Sequence, residues 1–307
     1  MVTDKITIAI PVYERIDFFE EALNSALGQT ISCPVYVIDN ASTHNKFRGI
    51  VQKKDNPLIA YIRNEKNVGM VENWNRCIDV CQTEYLSILH DDDVLHPGFV
   101  EHCLRFLSKN PSQKCCFAVS TIAGNDPSVI FQQRTMNERY KYFKKKYFLF
   151  ENLAAFPGVL FPVAIAKKIG GFRKDEFSAD FDFWIRLSEC LPIIRNNTPY
   201  AFYRLSNQQE TKKIHTQLVD YFYKRRLILL SNLSFQNNIY KFSYFFIMLK
   251  LYISYHNYKL NYKMKMNIRS DIKNTRIAKW FIFFRIINFR VLSHFYYRLF
   301  WSIFYRT

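Results

Sequence analysis

The chain has 307 residues, enough for one large domain or two smaller ones, and its 49% hydrophobic content is ample for a core. The seven cysteines are odd in number and include no CxxC pair, which favours a reducing compartment. The formal net charge of +17 is uneven, because residues 212–307 hold 18 Lys and Arg but only two Asp, whereas residues 1–211 are almost neutral. The sequence contains no stretch of 18 uncharged apolar residues, so no transmembrane helix is predicted.

The first 120 residues alternate between short apolar runs and segments with helical periodicity. Strands are predicted at 6–12, 35–38, 59–62, 85–89 and 115–119. Between the third and fourth of these, Trp74, Cys77, Ile78 and Cys81 follow the spacing of an amphipathic helix. This alternation predicts an α/β fold of Rossmann-like type, with a mostly parallel sheet and helices on both faces.

Three consecutive aspartates, Asp91, Asp92 and Asp93, follow the strand predicted at 85–89. Carboxylates packed this closely raise one another's pKa or need a cation, and a hard divalent metal is their natural partner. Ligands of such sheets bind beyond the carboxyl ends of the strands, where Asp39 and the segment 11–14 are also expected. A solvated acidic turn is the alternative interpretation of the triplet alone.

Five short segments occur in order over about two thirds of the chain and together resemble a known family. They read PVYER at 11–15, DNAST at 39–43, NVGMVEN at 67–73, LHDDDVLHP at 89–97 and DFDFWIRL at 180–187. Each is a modest match alone, but their order resembles the motifs of family 2 glycosyltransferases, which have the GT-A fold. We therefore expect a GT-A domain at 1–211.

The resemblance implies a role for each segment. Asp92, with Asp93 alongside it, would ligate Mg²⁺ or Mn²⁺, and Asp180 would be the catalytic base. Asp39 would accept a hydrogen bond from a uracil ring. The nucleotide site as a whole would comprise Pro11, Tyr13, Glu14, Asp39, Asn67, Asn73 and Asp91.

Three departures from the family pattern leave alternatives open. His90 stands where an aspartate is usual, so it could contact the metal or the ribose, or only pack at the strand end. Glu14 replaces an asparagine, which weakens the expected nucleobase contact. Ala179 replaces the glutamate before the base, so we favour Asp180 as the base and keep Asp182 as the alternative.

Several other residues have both a functional and a structural interpretation. Asp39 could cap the following helix instead of binding the base. Trp184 could stack on an acceptor sugar or belong to the core. Gly158 could allow close approach of the acceptor or serve a turn. His215 could contact metal or diphosphate, or lie on the surface.

Residues 212–307 combine aromatic and basic side chains in helix-compatible blocks. This composition favours a helical, membrane-associating region that contacts an anionic surface. The alternative is a helical appendage that covers the sheet or forms a homo-oligomer. We therefore expect a peripheral protein on the cytoplasmic face of the membrane.

The predicted function is inverting, metal-dependent transfer from a nucleotide-sugar, with UDP-sugar favoured, to a lipid-linked glycan in bacterial surface-polysaccharide synthesis (capsule, O-antigen or lipopolysaccharide). A sugar-nucleotide nucleotidyltransferase would require a glycine-rich phosphate loop, and residues 11–16 contain no glycine. A nucleic-acid-binding protein is the non-enzymatic alternative, but a rim of carboxylates would repel phosphate, so nucleic acid is not the expected partner.

Overall fold

The computed structural model describes residues 1–110, 115–130, 139–143, 154, 156–174, 176 and 178–205. Within these residues one nine-stranded sheet contains β1 (Ile6–Val12), β2 (Val35–Asp39), β3 (Ile59–Arg63), β4 (Tyr85–Ile88), β5 (Val94–Leu95), β6 (Cys116–Gly124), β7 (Tyr140–Phe143), β8 (Val159–Pro162) and β9 (Ile193–Arg204). The helices there are α1 (Phe19–Leu27), α2 (Lys46–Lys53), α3 (Met70–Val80), α4 (Phe99–Lys109), α5 (Val163–Lys168) and α6 (Ala179–Cys190), with a short 3₁₀ helix at Pro127–Ile130.

The first four long strands form the parallel half of the sheet, in the order β3-β2-β1-β4. The central strand β1 is an unbroken apolar run whose Ile6, Ile8 and Ile10 are fully buried, as expected for a strand covered on both faces. Pro11 lies past Ala9, where the pairing with β4 ends, so its missing N–H costs no hydrogen bond on that side. This half confirms the predicted α/β class.

The other half of the sheet is mixed. Strand β8 runs antiparallel to both β4 and β6, while β9 is parallel to β6 and antiparallel to β5 and β7. The sequence predicted only the beginning of β6 and left β9 unassigned. The long strand β9 matters for the site, because its end at Arg204 returns to the loop after β4.

Packing of amphipathic helices against the sheet forms the core. In α3 the buried residues are Asn73, Trp74, Cys77 and Ile78, which confirms the predicted helical face. In α1 the buried Phe19 contacts Phe47 of α2 edge to face, with ring centroids 4.9 Å apart. Parallel pairing of β1 with β2 and with β4 brings the carboxyl ends of these strands to the same edge of the sheet.

The predicted boundary at 211/212, His215 and the basic region lie outside the described residues. Among the helices that the structure describes, none is both long and apolar enough to cross a membrane.

Candidate functional site

The aspartate triplet occupies the turn between β4 and β5. Asp91, Asp92 and Asp93 are only 9%, 6% and 0% exposed, and the turn is closed by a hydrogen bond from the Asp93 N–H to the His90 carbonyl oxygen at 3.2 Å. A solvated acidic turn would expose these carboxylates, so that alternative is wrong. Three buried carboxylates need compensating positive charge.

His90, Asp92 and Asp93 form a cluster suited to a cation. Each offers a ligand atom, and these atoms all lie within 4.8 Å of one another. Asp93 Oδ2 and His90 Nε2 are buried and have no hydrogen-bond partner among the residues that the structure describes, although His90 Nδ1 lies 3.8 Å from Asp93 Oδ2. A buried carboxylate oxygen without a hydrogen bond costs free energy of folding, and a bound cation would offset that cost. The two carboxylates fit Mg²⁺ or Mn²⁺, and an imidazole among the ligands favours the transition metal Mn²⁺ over Mg²⁺.

The electrostatics of the cluster also favour a bound cation. Burial, followed by the charge of Asp92, raises the pKa of Asp93 well above its usual range. Burial raises the pKa of Asp91 to about 6, although the guanidinium of Arg15 opposes the shift. Burial lowers the pKa of His90, so its imidazole is neutral near pH 7 and able to act as a ligand.

Two arginines that the sequence analysis left without a role contact the triplet. Arg15 Nη2 lies 2.5 Å from Asp91 Oδ1, and Arg15 Nη1 lies 3.1 Å from Asp92 Oδ2. The backbone N–H of Arg204 donates to Asp93 Oδ1 at 2.9 Å, and its Nε donates to the Asp92 carbonyl oxygen at 2.8 Å. Arg15 stands inside the PVYER segment, a signal that could have identified it, whereas nothing in the sequence pairs Arg204 with the triplet.

Asp39 lies at the carboxyl end of β2 and is fully buried. Its Oδ1 accepts hydrogen bonds from the Ser42 N–H at 2.9 Å and the Ser42 hydroxyl at 2.7 Å. Its Oδ2 accepts from the Tyr61 hydroxyl and, at 3.2 Å, from Arg63 Nη1. Asp39 does not cap the next helix, because α2 begins at Lys46 with Asn45 as its N-cap.

Glu14 joins the loop after β1 to the loop after β2. Its carboxylate accepts from the Thr43 N–H at 2.7 Å and the Thr43 hydroxyl at 2.9 Å, and its own N–H donates to Ser42 Oγ at 3.1 Å. Its φ is +58°, a left-handed conformation that asparagine adopts more readily than glutamate. Its neighbour Tyr13 is 44% exposed at the rim, and Pro11 is partly buried.

An asparagine network supports the same edge of the sheet. Asn73, 3% exposed, donates to the Ile38 carbonyl oxygen at 3.1 Å and accepts from Asn64 Nδ2 at 2.9 Å. Asn67 is exposed, and its Oδ1 accepts from Asn40 Nδ2 at 2.9 Å. Asn67 can therefore reach a ligand, whereas Asn73 holds the start of α3 against β2. Asn64 lies outside the five motif segments, so nothing in the sequence singled it out.

The two candidate bases on α6 have different environments. Asp180 is half-buried, and its Oδ1 accepts from the Ser178 hydroxyl at 2.8 Å. Its negative charge raises the pKa of His90, against the effect of burial, so the two side chains interact electrostatically. Asp182 is fully buried, and its Oδ2 accepts from Arg186 Nε at 2.7 Å. The geometry therefore favours Asp180 as the residue that can reach an acceptor.

Two residues considered for the acceptor have structural roles. Trp184 is fully buried among Phe156, Phe161 and Phe183, with ring centroids 4.9–5.7 Å apart, so its ring offers no free face to a sugar. Gly158 has φ +90°, and a Cβ there would lie 2.7 Å from both Val119 Cγ2 and Ala201 Cβ. Close packing of β6, β8 and β9, rather than acceptor approach, requires glycine at this position.

Comparison with known proteins identifies the family. The family described as glycosyl transferase family 2 matches residues 7–165. The uncharacterized glycosyltransferase MJ1057 of Methanocaldococcus jannaschii is 25% identical over 81% of this chain and 87% of its own length. The hyaluronan synthase of Pasteurella multocida is 26% identical over 60% of this chain but only 19% of its own length.

A solved structure shares the fold. Crystalline S. aureus TarS 1-349 in complex with UDP-GlcNAc superposes with a TM-score of 0.63, at 14% identity, over 86% of this chain and 77% of that one. At this identity the likeness shows the fold alone, and it confirms the GT-A prediction. Because the family match spans more than half of the chain and includes the buried acidic turn, this protein belongs to glycosyl transferase family 2 and is a glycosyltransferase.

Proposed function

We propose that the chain is an inverting, metal-dependent transferase that moves a sugar from a UDP-sugar to a hydroxyl group of a glycan acceptor. The observation that carries the proposal is the buried cluster of His90, Asp92 and Asp93, with its orphaned oxygen on Asp93 and with Asp180 nearby. The solved TarS structures with UDP-GlcNAc and with UDP support a uridine nucleotide donor on this fold. Membership of a glycosyltransferase family argues against the nucleotidyltransferase and nucleic-acid-binding alternatives.

Different residues of the site would bind the sugar donor and activate the acceptor. His90, Asp92 and Asp93 would hold Mg²⁺ or Mn²⁺, which when bound supplies stabilisation of the negative charge on a diphosphate leaving group. Asp39 would accept a hydrogen bond from the uracil ring. Since Asp39 Oδ2 already accepts from Tyr61 and Arg63, we expect the Tyr61 hydroxyl to release that oxygen when a nucleotide binds.

Asp180 would remove the proton from the acceptor hydroxyl as its oxygen bonds to the anomeric carbon. The bond from that carbon to the diphosphate oxygen breaks at the same time, so a single displacement inverts the anomeric centre. Positioned general bases contribute about 10²–10⁴-fold to rate. The half-buried setting of Asp180 allows both access and a fixed orientation.

A test of this function uses the full chain with a panel of nucleotide-sugars. We expect UDP release that requires Mn²⁺ or Mg²⁺ and stops with a chelator, and a product of inverted anomeric configuration by NMR. Asp180→Asn should lower transfer by about 10²–10⁴-fold and keep UDP binding, whereas Asp92→Asn should lose both. Asp79→Asn, at an exposed position of α3, is the matched control and should behave like the unaltered chain. Full turnover in chelator would contradict the proposal.

We propose further that the acceptor is lipid-linked, in bacterial surface-polysaccharide synthesis, and that residues 212–307 attach the enzyme to the cytoplasmic face of the membrane. The support is compositional, since 18 basic residues against two acidic ones accompany dense Phe and Tyr. Each Lys or Arg near an anionic surface contributes about 1 kcal/mol. Relatives named hyaluronan synthase and chondroitin synthase point to polysaccharide products.

Vesicle co-sedimentation of the full chain tests the attachment. Vesicles containing about one-third phosphatidylglycerol in phosphatidylcholine should pellet the protein at low salt, and vesicles of phosphatidylcholine alone should pellet much less of it. Equal recovery with both vesicle types, or no recovery with either, would contradict an anionic membrane partner.

A further inference from the structure

Arg15 bridges two different carboxylates of the buried acidic turn. Its Nη2 pairs with Asp91 at 2.5 Å and its Nη1 with Asp92 at 3.1 Å, so one planar guanidinium neutralises two neighbouring aspartates. The side chain is 34% exposed, whereas those of Asp91 and Asp92 are 11% and 9% exposed. Arg15 thus covers the acidic turn from its solvent side.

The segment that carries Arg15 is fixed by bonds of its own. Glu14, the preceding residue, is held by Thr43 and Ser42, and the Arg15 N–H donates to the Tyr13 carbonyl oxygen at 2.6 Å. The backbone is therefore anchored to β1 and β2 while the long side chain crosses to the turn after β4. A change of rotamer alone could move the guanidinium without disturbing the strands.

From this geometry we propose that Arg15 is an internal counter-ion, exchanged between two partners. Without ligand it neutralises Asp91 and Asp92. When a divalent cation is held at Asp92 and Asp93, Arg15 gives up its bond to Asp92 and pairs with the diphosphate of the nucleotide. This inference rests on the cation site of the proposed function and adds a donor-binding residue to it.

The exchange follows from the charges. A guanidinium beside Asp92 repels a divalent cation a few ångströms away, and burial strengthens the repulsion. A nucleoside diphosphate brings new negative oxygens to the same rim, and the fork of an arginine matches phosphate as well as it matches carboxylates. Arg15 should therefore weaken cation binding to the empty enzyme and strengthen nucleotide binding to the loaded one.

Because Arg15 should weaken cation binding but strengthen nucleotide binding, substitutions of Arg15 in the full chain test the proposal. Arg15→Gln should bind Mn²⁺ about three- to thirtyfold more tightly in calorimetry without nucleotide, and bind UDP at saturating Mn²⁺ at least about tenfold more weakly. Arg15→Lys keeps the charge but cannot bridge, so its Mn²⁺ affinity should stay near that of the unaltered chain while UDP binding falls partway. Arg48→Gln, an exposed arginine of α2, is the control and should change neither affinity.

These binding measurements can overturn the inference in two ways. If Arg15→Gln weakens Mn²⁺ and UDP binding together, Arg15 only supports the fold and the inference is overturned. If Mn²⁺ does not bind the unaltered chain at all, the proposed cation site fails and the inference with it. Should Arg15→Gln not fold, ¹⁵N-arginine NMR of the unaltered chain replaces it. The Arg15 side-chain signal, assigned with Arg15→Lys, must then move on addition of Mg²⁺ and UDP, and an unmoved signal would overturn the exchange.

Discussion

Asp182→Asn should cost fold stability rather than remove the catalytic base. The Asp182 carboxylate is fully buried, and Arg186 Nε donates to it at 2.7 Å. The same guanidinium donates to the carbonyl oxygens of Ile169 at 2.7 Å and Gly171 at 2.6 Å. The ion pair therefore joins α6 to the turn after α5, and amidation would remove the fully buried carboxylate that pairs with Arg186 Nε.

The magnitude follows from the burial of the pair. Removing one partner of a buried ion pair costs about 3–5 kcal/mol. Because asparagine keeps one acceptor oxygen, we expect the lower figure, about 3 kcal/mol of unfolding free energy. For a domain of this size that corresponds to a melting temperature lower by about 6–12 °C. Urea unfolding followed by tryptophan fluorescence, together with a thermal melt, measures both quantities.

Asp180→Asn is the matched control for this change, on the same helix two residues away. Asp180 is half-buried and accepts a hydrogen bond from the Ser178 hydroxyl, so its amidation should change stability by no more than about 1 kcal/mol while transfer falls sharply. The reasoning is refuted if Asp182→Asn keeps full stability and loses transfer, since that result would make Asp182 the base.

Three further predictions concern packing, cysteine reactivity and metal removal. Gly158→Ala should lower the free energy of unfolding in urea by about 2–5 kcal/mol, because of backbone strain and overpacking. Gly49→Ala, in open space on α2, is the control and should be neutral or stabilise by up to about 1 kcal/mol. Equal effects of the two substitutions would refute the packing argument. Ellman's reagent at pH 8 should modify only Cys190 in the native protein, because the other six thiols are buried. Burial raises the pKa of Cys33, for example, to about 12. Rapid reaction of several thiols would contradict the burial of these cysteines. EDTA should abolish the rise in melting temperature that UDP and Mn²⁺ produce together, and a rise that persists in EDTA would argue against the cation cluster.

The parallel half of the sheet was predictable because its signals are local. Buried parallel strands are continuous apolar runs, so β1, β2 and β4 stand out in the sequence. The carboxyl ends of such strands meet at one edge, which is enough to bring Asp39 near the turn at Asp91. The buried state of that turn follows from its place between two buried strands.

Contacts between distant residues were not predictable in the same way. Arg204 bonds to Asp93 across 111 positions, and only the pairing of β9 with β5 and β6 brings the two together. Asp182 and Arg186 have the i, i+4 spacing of a helical ion pair, but spacing alone does not reveal that the pair is buried. Trp184 and Gly158 were ambiguous for the same reason, because core packing and acceptor binding use the same residue types.

The most direct test of the account is a crystal of the full chain grown with MnCl₂ and UDP, with anomalous diffraction recorded near the manganese absorption edge. We predict a single strong anomalous peak between Asp92 and Asp93, within bonding distance of a carboxylate oxygen of each, with the UDP diphosphate on the same ion. A manganese peak elsewhere, or UDP bound away from the acidic turn, would contradict the assignment of this turn as the donor site.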